Sequence, residues 1–152
     1  MTTILCITPA HPFWEKVIRF AERCSWRAGK SLAEKMKNGD FLDWERVFCA
    51  VVDGEVAGFC TLAEKDELGP EYDFSPFIGY VFVGEAYRGN RLSEHMIGAS
   101  TEYAQKLGFQ KVYIMSGEIG LYEKYGFRKI GIFPTIYNTT DQLFERETAC
   151  RA

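Results

Sequence analysis

The sequence predicts a mixed α/β fold, that is, an α+β arrangement, in a single domain. Two helical patterns lie between residues 13 and 39, an antiparallel hairpin follows over residues 46–62, and strands then alternate with helices over residues 77–145. A chain of 152 residues has the usual size of one compact domain, so we expect residues 1–152 to form one unit. No repeat, low-complexity tract or linker-like composition divides the sequence.

The N-terminal elements are a short strand and two helices. The strand covers Ile4–Ile7, and Thr8 is the candidate cap of a helix whose apolar residues recur at helical spacing over residues 13–24. A shorter helical pattern around residues 32–36 ends at Asn38-Gly39, because glycine readily adopts the left-handed conformation that closes a helix.

A β-hairpin is the strongest local prediction. The β-rich runs 46–52 and 55–62 flank Asp53-Gly54, a dipeptide that favours the two-residue turn of a hairpin. Residues 63–76 are polar and are broken by prolines, so we expect a long loop there. Loops of this length often border functional sites.

The C-terminal half alternates strands with helices. A β-rich run at 77–83 leads through a turn at 84–90 into a helix with apolar residues from Leu92 to Leu107, which Gly108 closes. The remaining predicted elements are a strand at 111–115, a helical segment at 118–125 ended by Gly126, a strand at 127–133 and a last strand at 142–145.

Charge and hydropathy exclude several classes of partner. Eighteen basic and 21 acidic side chains give a formal net charge of -3, so the overall field attracts neither nucleic acid nor an anionic membrane. No apolar stretch approaches the ~20 residues that span a bilayer, and the first residues lack the basic start of a signal peptide. We therefore expect a cytoplasmic protein with no membrane and no nucleic-acid partner.

The cysteines and histidines indicate no metal centre. The cysteines are Cys6, Cys24, Cys49, Cys60 and Cys150. They are odd in number, widely spaced and form no Cys-x-x-Cys pair, so we expect buried reduced thiols rather than disulfides or a zinc site. With only His11 and His95, a histidine-rich metal site or a Ser-His-Asp triad has few arrangements.

The most informative segment is Val81-Phe82-Val83-Gly84-Glu85-Ala86-Tyr87-Arg88-Gly89-Asn90-Arg91-Leu92-Ser93. A strand runs here through a turn directly into an amphipathic helix, which presents unpaired N–H groups at the helix N-terminus. Those donors and the positive end of the helix dipole favour a phosphate or pyrophosphate group, and Arg88 and Arg91 add positive charge. By itself the segment is equally compatible with a plain strand-to-helix turn.

A second segment, Gly120-Leu121-Tyr122-Glu123-Lys124-Tyr125-Gly126-Phe127, follows the next strand. Together the two segments resemble the GNAT superfamily of acyl-CoA-dependent N-acyltransferases. The pyrophosphate loop of that superfamily has the pattern (Arg/Gln)-x-x-Gly-x-(Gly/Ala), and a later helix often reads Tyr-Glu-x-x-Gly-Phe. In its common local form the loop reads Val-x-Pro-x-Tyr-Arg-Gly-x-Gly-x-Gly, of which this sequence supplies Val83, Tyr87, Arg88 and Gly89.

The loop departs from this pattern at three positions. Glu85 replaces the usual proline, Arg91 the middle glycine, and Ser93 the last glycine or alanine. Arg91 costs backbone freedom, although its guanidinium can meet a phosphate oxygen, and Ser93 is small enough to leave the helix start accessible. We therefore expect the site to be kept.

The resemblance implies a mostly antiparallel central sheet flanked by helices, and acetyl-CoA as co-substrate. It implies that backbone groups of Val81 and Val83 pair with the pantetheine arm, and that the Val83 N–H polarises the thioester carbonyl. The implied pyrophosphate ligands are the N–H groups of Arg88, Gly89, Asn90, Arg91, Leu92 and Ser93. No metal takes part.

Tyr122 is the candidate catalytic acid. A tyrosine stays protonated at neutral pH and can donate to the departing thiolate, whereas the alternative is a packing aromatic on a short helix. No general base is singled out, because the four carboxylates that could approach the cleft are equivalent in the sequence. These carboxylates are Glu71, Asp73, Glu85 and Glu118.

The predicted function is acetyl transfer from acetyl-CoA to a primary amine of a small-molecule or peptide acceptor, by a monomer or homodimer. Transfer is expected to be direct, because no cysteine lies in the loop or near Tyr122. The alternative is a non-catalytic sensor of acyl-CoA or nucleotides, which Arg91 and Ser93 favour. A dinucleotide-binding fold fits less well, because that fold expects Gly-x-Gly-x-x-Gly after an early strand of a parallel sheet.

Overall fold

The structure is a computed structural model that describes residues 1–149. A seven-stranded sheet forms the centre of the molecule. The strands are β1 (Thr2–Ile7), β2 (Arg46–Val52), β3 (Glu55–Ala63), β4 (Phe77–Val83), β5 (Lys111–Ser116), β6 (Arg128–Pro134) and β7 (Thr140–Glu147). They lie in the order β1-β2-β3-β4-β5-β7-β6. Every neighbouring pair is antiparallel except β4 and β5, which confirms the mixed, mostly antiparallel sheet.

Helices cover both faces of the sheet. They are α1 (Trp14–Arg23), α2 (Arg27–Asn38), α3 (Leu92–Lys106) and the short α4 (Leu121–Lys124), with a 3-10 turn at Glu85–Tyr87. Successive side chains of β2 point to opposite faces. Accordingly, Val47 and Cys49 pack with α1 and α2, whereas Phe48 and Ala50 pack with α3 and α4.

The β2–β3 hairpin is confirmed. Val52 pairs with Glu55, so the connection has two residues. Asp53 and Gly54 have φ values of 50° and 84°, as a turn with two left-handed residues requires.

Helix boundaries differ from the prediction in the N-terminal half. The proposed Thr8 cap is wrong, because α1 begins only at Trp14. A turn precedes it, in which the Thr8 carbonyl accepts from the His11 N–H and the ring nitrogen Nδ1 of His11 accepts from the Phe13 N–H at 3.0 Å. Helix α2 is longer than predicted and begins at Arg27, but it ends as expected at Gly39, which has a φ of 67°.

Boundaries also shift in the C-terminal half. The predicted helix over residues 118–125 shrinks to the four residues of α4, because Gly120 is left-handed with a φ of 82°. Strand β7 extends beyond the predicted 142–145 to Thr140–Glu147, where it pairs with both β5 and β6.

The four described cysteines are free thiols. Cys49 and Cys60 are buried as expected, Cys24 is partly buried, and Cys6 is exposed on the edge strand β1, so the expectation of burial is wrong for Cys6. Cys150 lies outside the described residues. Within residues 1–149, no three His, Cys, Asp or Glu side chains form a group that could hold a metal ion. None of the helices in this part of the chain has the length and apolarity needed to cross a membrane.

Candidate active site

A cleft opens where β4 and β5 diverge. The two strands pair only at Phe77 and Tyr113, and the Tyr113 N–H donates to the Pro76 carbonyl at 3.0 Å. Beyond that point, the edge of β4 that faces β5 has no strand partner among the described residues. The resulting cavity has a volume of about 1000 Å³, and its wall includes the predicted residues Val81 and Val83.

A bulge interrupts β4 on the wall of this cleft. Phe59 of β3 pairs with Phe82, but Thr61 pairs with Gly79, so β4 carries one extra residue. Tyr80 has a φ of 51°, a left-handed conformation that is rare and strained for a tyrosine. Our sequence interpretation missed the bulge, although a glycine inside a β-rich run is a signal for one.

Neighbouring side chains hold the bulge in place. The Tyr80 hydroxyl lies 3.1 Å from the Ser31 hydroxyl on α2, and the Trp26 ring meets Tyr80 edge-on at 6.3 Å. Trp26 also stacks on Phe82 with ring centroids 5.7 Å apart. These contacts fix the direction of β4 beyond the bulge, because an aromatic pair adds ~0.5 to 1.5 kcal/mol beyond its burial.

At one end of the cleft, residues 84–94 form the turn into α3. We call this turn the cofactor end, after the cofactor that the sequence predicts for it. Gly89 and Arg91 both have left-handed backbones, with φ values of 88° and 60°. Arg91 therefore adopts a conformation that glycine takes more readily than arginine. The N–H groups of residues 89–94 have no acceptor within residues 1–149, so the turn presents a row of free donors.

Side chains at the cofactor end bind nearby backbone carbonyls and, in one case, another side chain. Arg88 donates through Nε to the Val83 carbonyl at 3.0 Å, and Asn90 donates to the Tyr87 carbonyl at 3.0 Å. Arg91 pairs with Glu94 at 2.8 Å.

Of the predicted loop residues, Arg88 and Ser93 line the cleft. Gly89, Asn90 and Arg91 are exposed beyond it, and Leu92 is buried in the core. The Ser93 hydroxyl lies 2.8 Å from the Tyr125 hydroxyl, a contact between α3 and the end of α4 that the sequence did not suggest.

Tyr122 lines the cleft from α4 and is only 5% exposed. Its ring packs against Phe127 and Phe144 at centroid distances of 6.1 and 5.7 Å. Burial raises the pKa of Tyr122 to about 12, although a hydrogen bond with Ser116 acts in the opposite direction. The two interpretations of Tyr122 are thus compatible, because the residue packs in the core and also lines the cleft.

Comparison with known proteins identifies the family. A family model described as the acetyltransferase (GNAT) family matches residues 9–127. The chain belongs to the GNAT family. The predicted resemblance is therefore confirmed, and the protein is an acyltransferase enzyme. No curated protein sequence matches this GNAT acetyltransferase.

Several crystal structures share the fold of this acetyltransferase. An aminoglycoside 6'-acetyltransferase type Ii has a TM-score of 0.74 at 16% identity, over 99% of each chain. An aminoglycoside 6'-N-acetyltransferase complexed with coenzyme A has a TM-score of 0.73 at 14% identity, also over 99% of each chain. A GNAT acetyltransferase from Elizabethkingia anophelis with acetyl-CoA bound has a TM-score of 0.65 at 19% identity, over 96% of this chain and 97% of that chain.

At the opposite end of the cleft, residues 64–76 between β3 and β4 meet residues 135–139 between β6 and β7. We call these two segments the acceptor end, because we propose below that the acceptor binds there. Leu68 bridges to Thr135, and the Ile136 N–H donates to the Glu67 carbonyl at 2.8 Å. The long predicted loop is thus folded against the sheet, with Phe74 packed on Tyr113 at 5.1 Å.

The four candidate bases of the acetyltransferase lie in different surroundings. Glu71 and Asp73 are exposed and lie outside the cleft wall. Glu85 lines the cleft but binds the Ser25 hydroxyl, which holds the pKa of Glu85 below its ordinary value. Glu118 lines the cleft and is exposed. The structure brings only Glu85 and Glu118 of this set to the site.

Asp66, which we did not select from the sequence, lies on the cleft wall at the acceptor end. Its Oδ1 accepts from the Glu67 N–H at 2.7 Å, and its Oδ2 lies 2.8 Å from the position that a Cβ would occupy on Gly79. Burial and the nearby charges of Glu67 and Asp141 raise the pKa of Asp66 to about 7. No sequence pattern marks this residue, which sits in a polar loop among other acids.

Proposed function

We propose that the chain, acting as one domain, transfers an acetyl group from acetyl-CoA to a primary amine of a small-molecule or peptide acceptor. One observation carries this proposal: the unpaired edge of β4 runs toward the free N–H groups at the start of α3, with Tyr122 on the wall between the strands. An extended pantetheine arm and a diphosphate fit such an edge and such a helix start.

The residues of the chain divide the binding of acetyl-CoA between them. Backbone groups of Val81 and Val83 pair with the pantetheine amides as an added strand would. The N–H groups of Gly89, Asn90, Arg91, Leu92 and Ser93 hold the diphosphate, with the charges of Arg88 and Arg91 beside them. The Arg88 N–H already donates to the Glu85 carbonyl at 3.4 Å, so Arg88 contributes through its guanidinium. Two neighbours with this fold were solved with coenzyme A or acetyl-CoA, which supports the assignment.

The chemistry needs three groups of the chain. The Val83 N–H donates to the thioester oxygen as negative charge develops there, and Tyr122 donates its proton to the departing sulfur. The acceptor nitrogen attacks directly, because no cysteine of residues 1–149 lines the cleft. Burial also raises the pKa values of Cys49 and Cys60 to about 12, so both thiols stay protonated.

An amine acceptor is supported by the neighbours and by the cleft itself. Two of the neighbours are named for the acetylation of aminoglycosides. The acceptor end of this chain carries Asp66 and Glu67, whose carboxylates attract a cationic amine.

Calorimetric titration with acetyl-CoA tests the donor half of the proposal, with coenzyme A, NAD and ATP as parallel ligands. We expect saturable binding of acetyl-CoA and coenzyme A only, followed by release of free thiol when primary amines are added. Absence of coenzyme A binding would remove the cofactor end from the site. Binding without thiol release by any amine would instead favour the sensor.

A further inference from the structure

We propose that Asp66 binds the acceptor amine and takes the proton that the amine must lose. This inference rests on the proposed acetyl transfer and deepens it, because it assigns the general base and favours acceptors with more than one cationic amine.

The first argument is the position of the Asp66 carboxylate. Gly79 pairs with Thr61 and so lies on the sheet face covered by α1 and α2. The Asp66 Oδ2 lies against Gly79 so closely that a Cβ there would meet it at 2.8 Å. Asp66 therefore reaches across β4 because residue 79 has no side chain, and it comes to rest one residue before the bulge at Tyr80.

The second argument is the relation between Asp66 and Tyr122. Tyr122 packs with Ile114 and Phe144 in the core on the α3 face, whereas Asp66 lies on the opposite face. Both side chains line the same cleft, which passes between β4 and β5. A thioester carbonyl held at this gap would have a proton donor on one side and a proton acceptor on the other.

The charges around Asp66 match this role. Glu67 on the same loop and Asp141 on β7 both disfavour a second negative charge, and Lys35 on α2 acts in the opposite direction. Besides Asp66, the charged side chains on the cleft wall are Lys35, Lys65, Glu67, Glu85, Arg88 and Glu118. Burial and then the charges of Glu67 and Asp141 raise the pKa of Asp66 to about 7, whereas the hydrogen bond from the Glu67 N–H and the charge of Lys35 act in the opposite direction. A general base with such a pKa is most effective at neutral pH. The Glu67 carboxylate, which also lines the cleft, suits a second cationic group on the acceptor.

The proton balance is complete with groups on the chain and solvent water. Asp66 takes a proton from the ammonium form and releases it to water, leaving a neutral amine. The nitrogen forms a bond to the acetyl carbon, the carbon–sulfur bond breaks, and Tyr122 gives its proton to the sulfur. Asp66 takes the second proton from the nitrogen and passes it to water, and Tyr122 regains one from water, so the net release is one proton per amide formed.

The test compares two probe acceptors, 1,4-diaminobutane and hydroxylamine, with saturating acetyl-CoA. The diamine is protonated at neutral pH and needs a base, whereas hydroxylamine is neutral there. We expect Asp66→Asn to lower kcat/KM for the diamine by ~100- to 10,000-fold and to lower it less for hydroxylamine. The rise of kcat with pH near 7 should disappear, and the Kd of acetyl-CoA should stay unchanged.

Two further variants separate the charge of Asp66 from its position. Glu71→Gln removes an exposed acid from the same loop and should leave kcat/KM unchanged for both acceptors. Gly79→Ala keeps the Asp66 carboxylate but displaces it, so it should lower kcat for the diamine. If Asp66→Asn leaves the diamine kinetics and the pH profile unchanged, the assignment of Asp66 is overturned. If the unaltered protein does not bind acetyl-CoA, the proposed function itself is overturned.

A measurement without turnover covers the case in which neither probe amine is acetylated. Carbon-13 spectra of aspartate-labelled protein, assigned with Asp66→Asn, follow the titration of this carboxyl. We expect a midpoint near pH 7 that moves to lower pH when 1,4-diaminobutane is added, because the cation favours the carboxylate. A midpoint in the ordinary range that the diamine does not move would refute the proposal.

Discussion

The two ends of the cleft use different parts of the chain. The cofactor end presents backbone donors held by a local conformation, with left-handed residues at Gly89 and Arg91. The acceptor end presents side chains, such as Asp66 and Tyr137, on two loops that meet across the sheet. Backbone binding demands particular φ values and so leaves a glycine pattern in the sequence. Recognition by loop side chains leaves no such pattern, which is why the co-substrate is easier to infer than the acceptor.

Of the variants that test this comparison between the two ends, removal of the Tyr122 hydroxyl should have the largest effect, and that effect is on kcat. We expect Tyr122→Phe to lower kcat by ~100- to 10,000-fold with little change in the Kd of acetyl-CoA, because the hydroxyl acts on the departing sulfur. Thiol release and calorimetry measure the two quantities. Tyr103→Phe, whose ring packs on Phe48 away from the cleft, is the matched control. Retained turnover in Tyr122→Phe would leave this tyrosine with a packing role only.

A side chain at position 89 should weaken coenzyme A binding at the cofactor end and leave the acceptor end unaffected. Nothing lies within 4 Å of a Cβ placed there, so the cost of Gly89→Val comes from its φ of 88°. A left-handed residue costs ~1 to 2 kcal/mol, which predicts ~5- to 30-fold weaker coenzyme A binding if the loop abandons this conformation. Calorimetry with coenzyme A gives the affinity. An affinity equal to that of the unaltered protein would show that the diphosphate does not contact this loop.

Stability should depend on pH through the acceptor end. Because the pKa of Asp66 is raised to about 7, folding favours its protonated form. That stabilisation is complete below pH ~4, the ordinary carboxyl value, and is lost as the pH rises through about 7. We expect Asp66→Asn to melt at least ~2 to 4 °C above the unaltered protein at pH 8, the shift for ~1 kcal/mol, and to differ less at pH 5. If the difference in melting temperature does not grow with pH, the ionisation of Asp66 does not destabilise the folded protein.

The smallest expected effect tests α3 away from both ends. Gly98 lies within the helix, has no positive φ, and leaves open space for a Cβ. We therefore expect Gly98→Ala to raise the free energy of unfolding by ~0.5 to 1 kcal/mol in urea titrations, with coenzyme A affinity unchanged. A loss of stability would mean that residue 98 packs against more than solvent.

Local sequence signals predicted the elements that depend on local conformation. The Asp53-Gly54 turn and the start of α3 at Leu92 agree with the structure because particular backbone angles select particular residues there. Helix α2 begins at Arg27, five residues before the predicted segment. The prediction missed its first turn, Arg27–Lys30, because that turn has no large apolar residue to mark a helical period.

Features that depend on distant contacts were not predictable. The bulge at Tyr80 exists because Ser31 and Trp26 hold it from another element. Asp66 becomes distinctive only when Gly79, 13 positions along the chain, and Asp141 on β7 surround it. In the sequence it is one acid among 21 Asp and Glu residues.

The contact between Ser93 and Tyr125 joins the long helix α3 to the short helix α4, which differ in stability. A helix of four residues such as α4 has no independent stability, so its order depends on its anchors. One anchor is the Ser93 hydroxyl in the first turn of α3, 2.8 Å from Tyr125. Opening of α4 and opening of the α3 N-terminus are therefore linked fluctuations. We therefore expect a ligand that orders one of them to slow amide hydrogen exchange in the other.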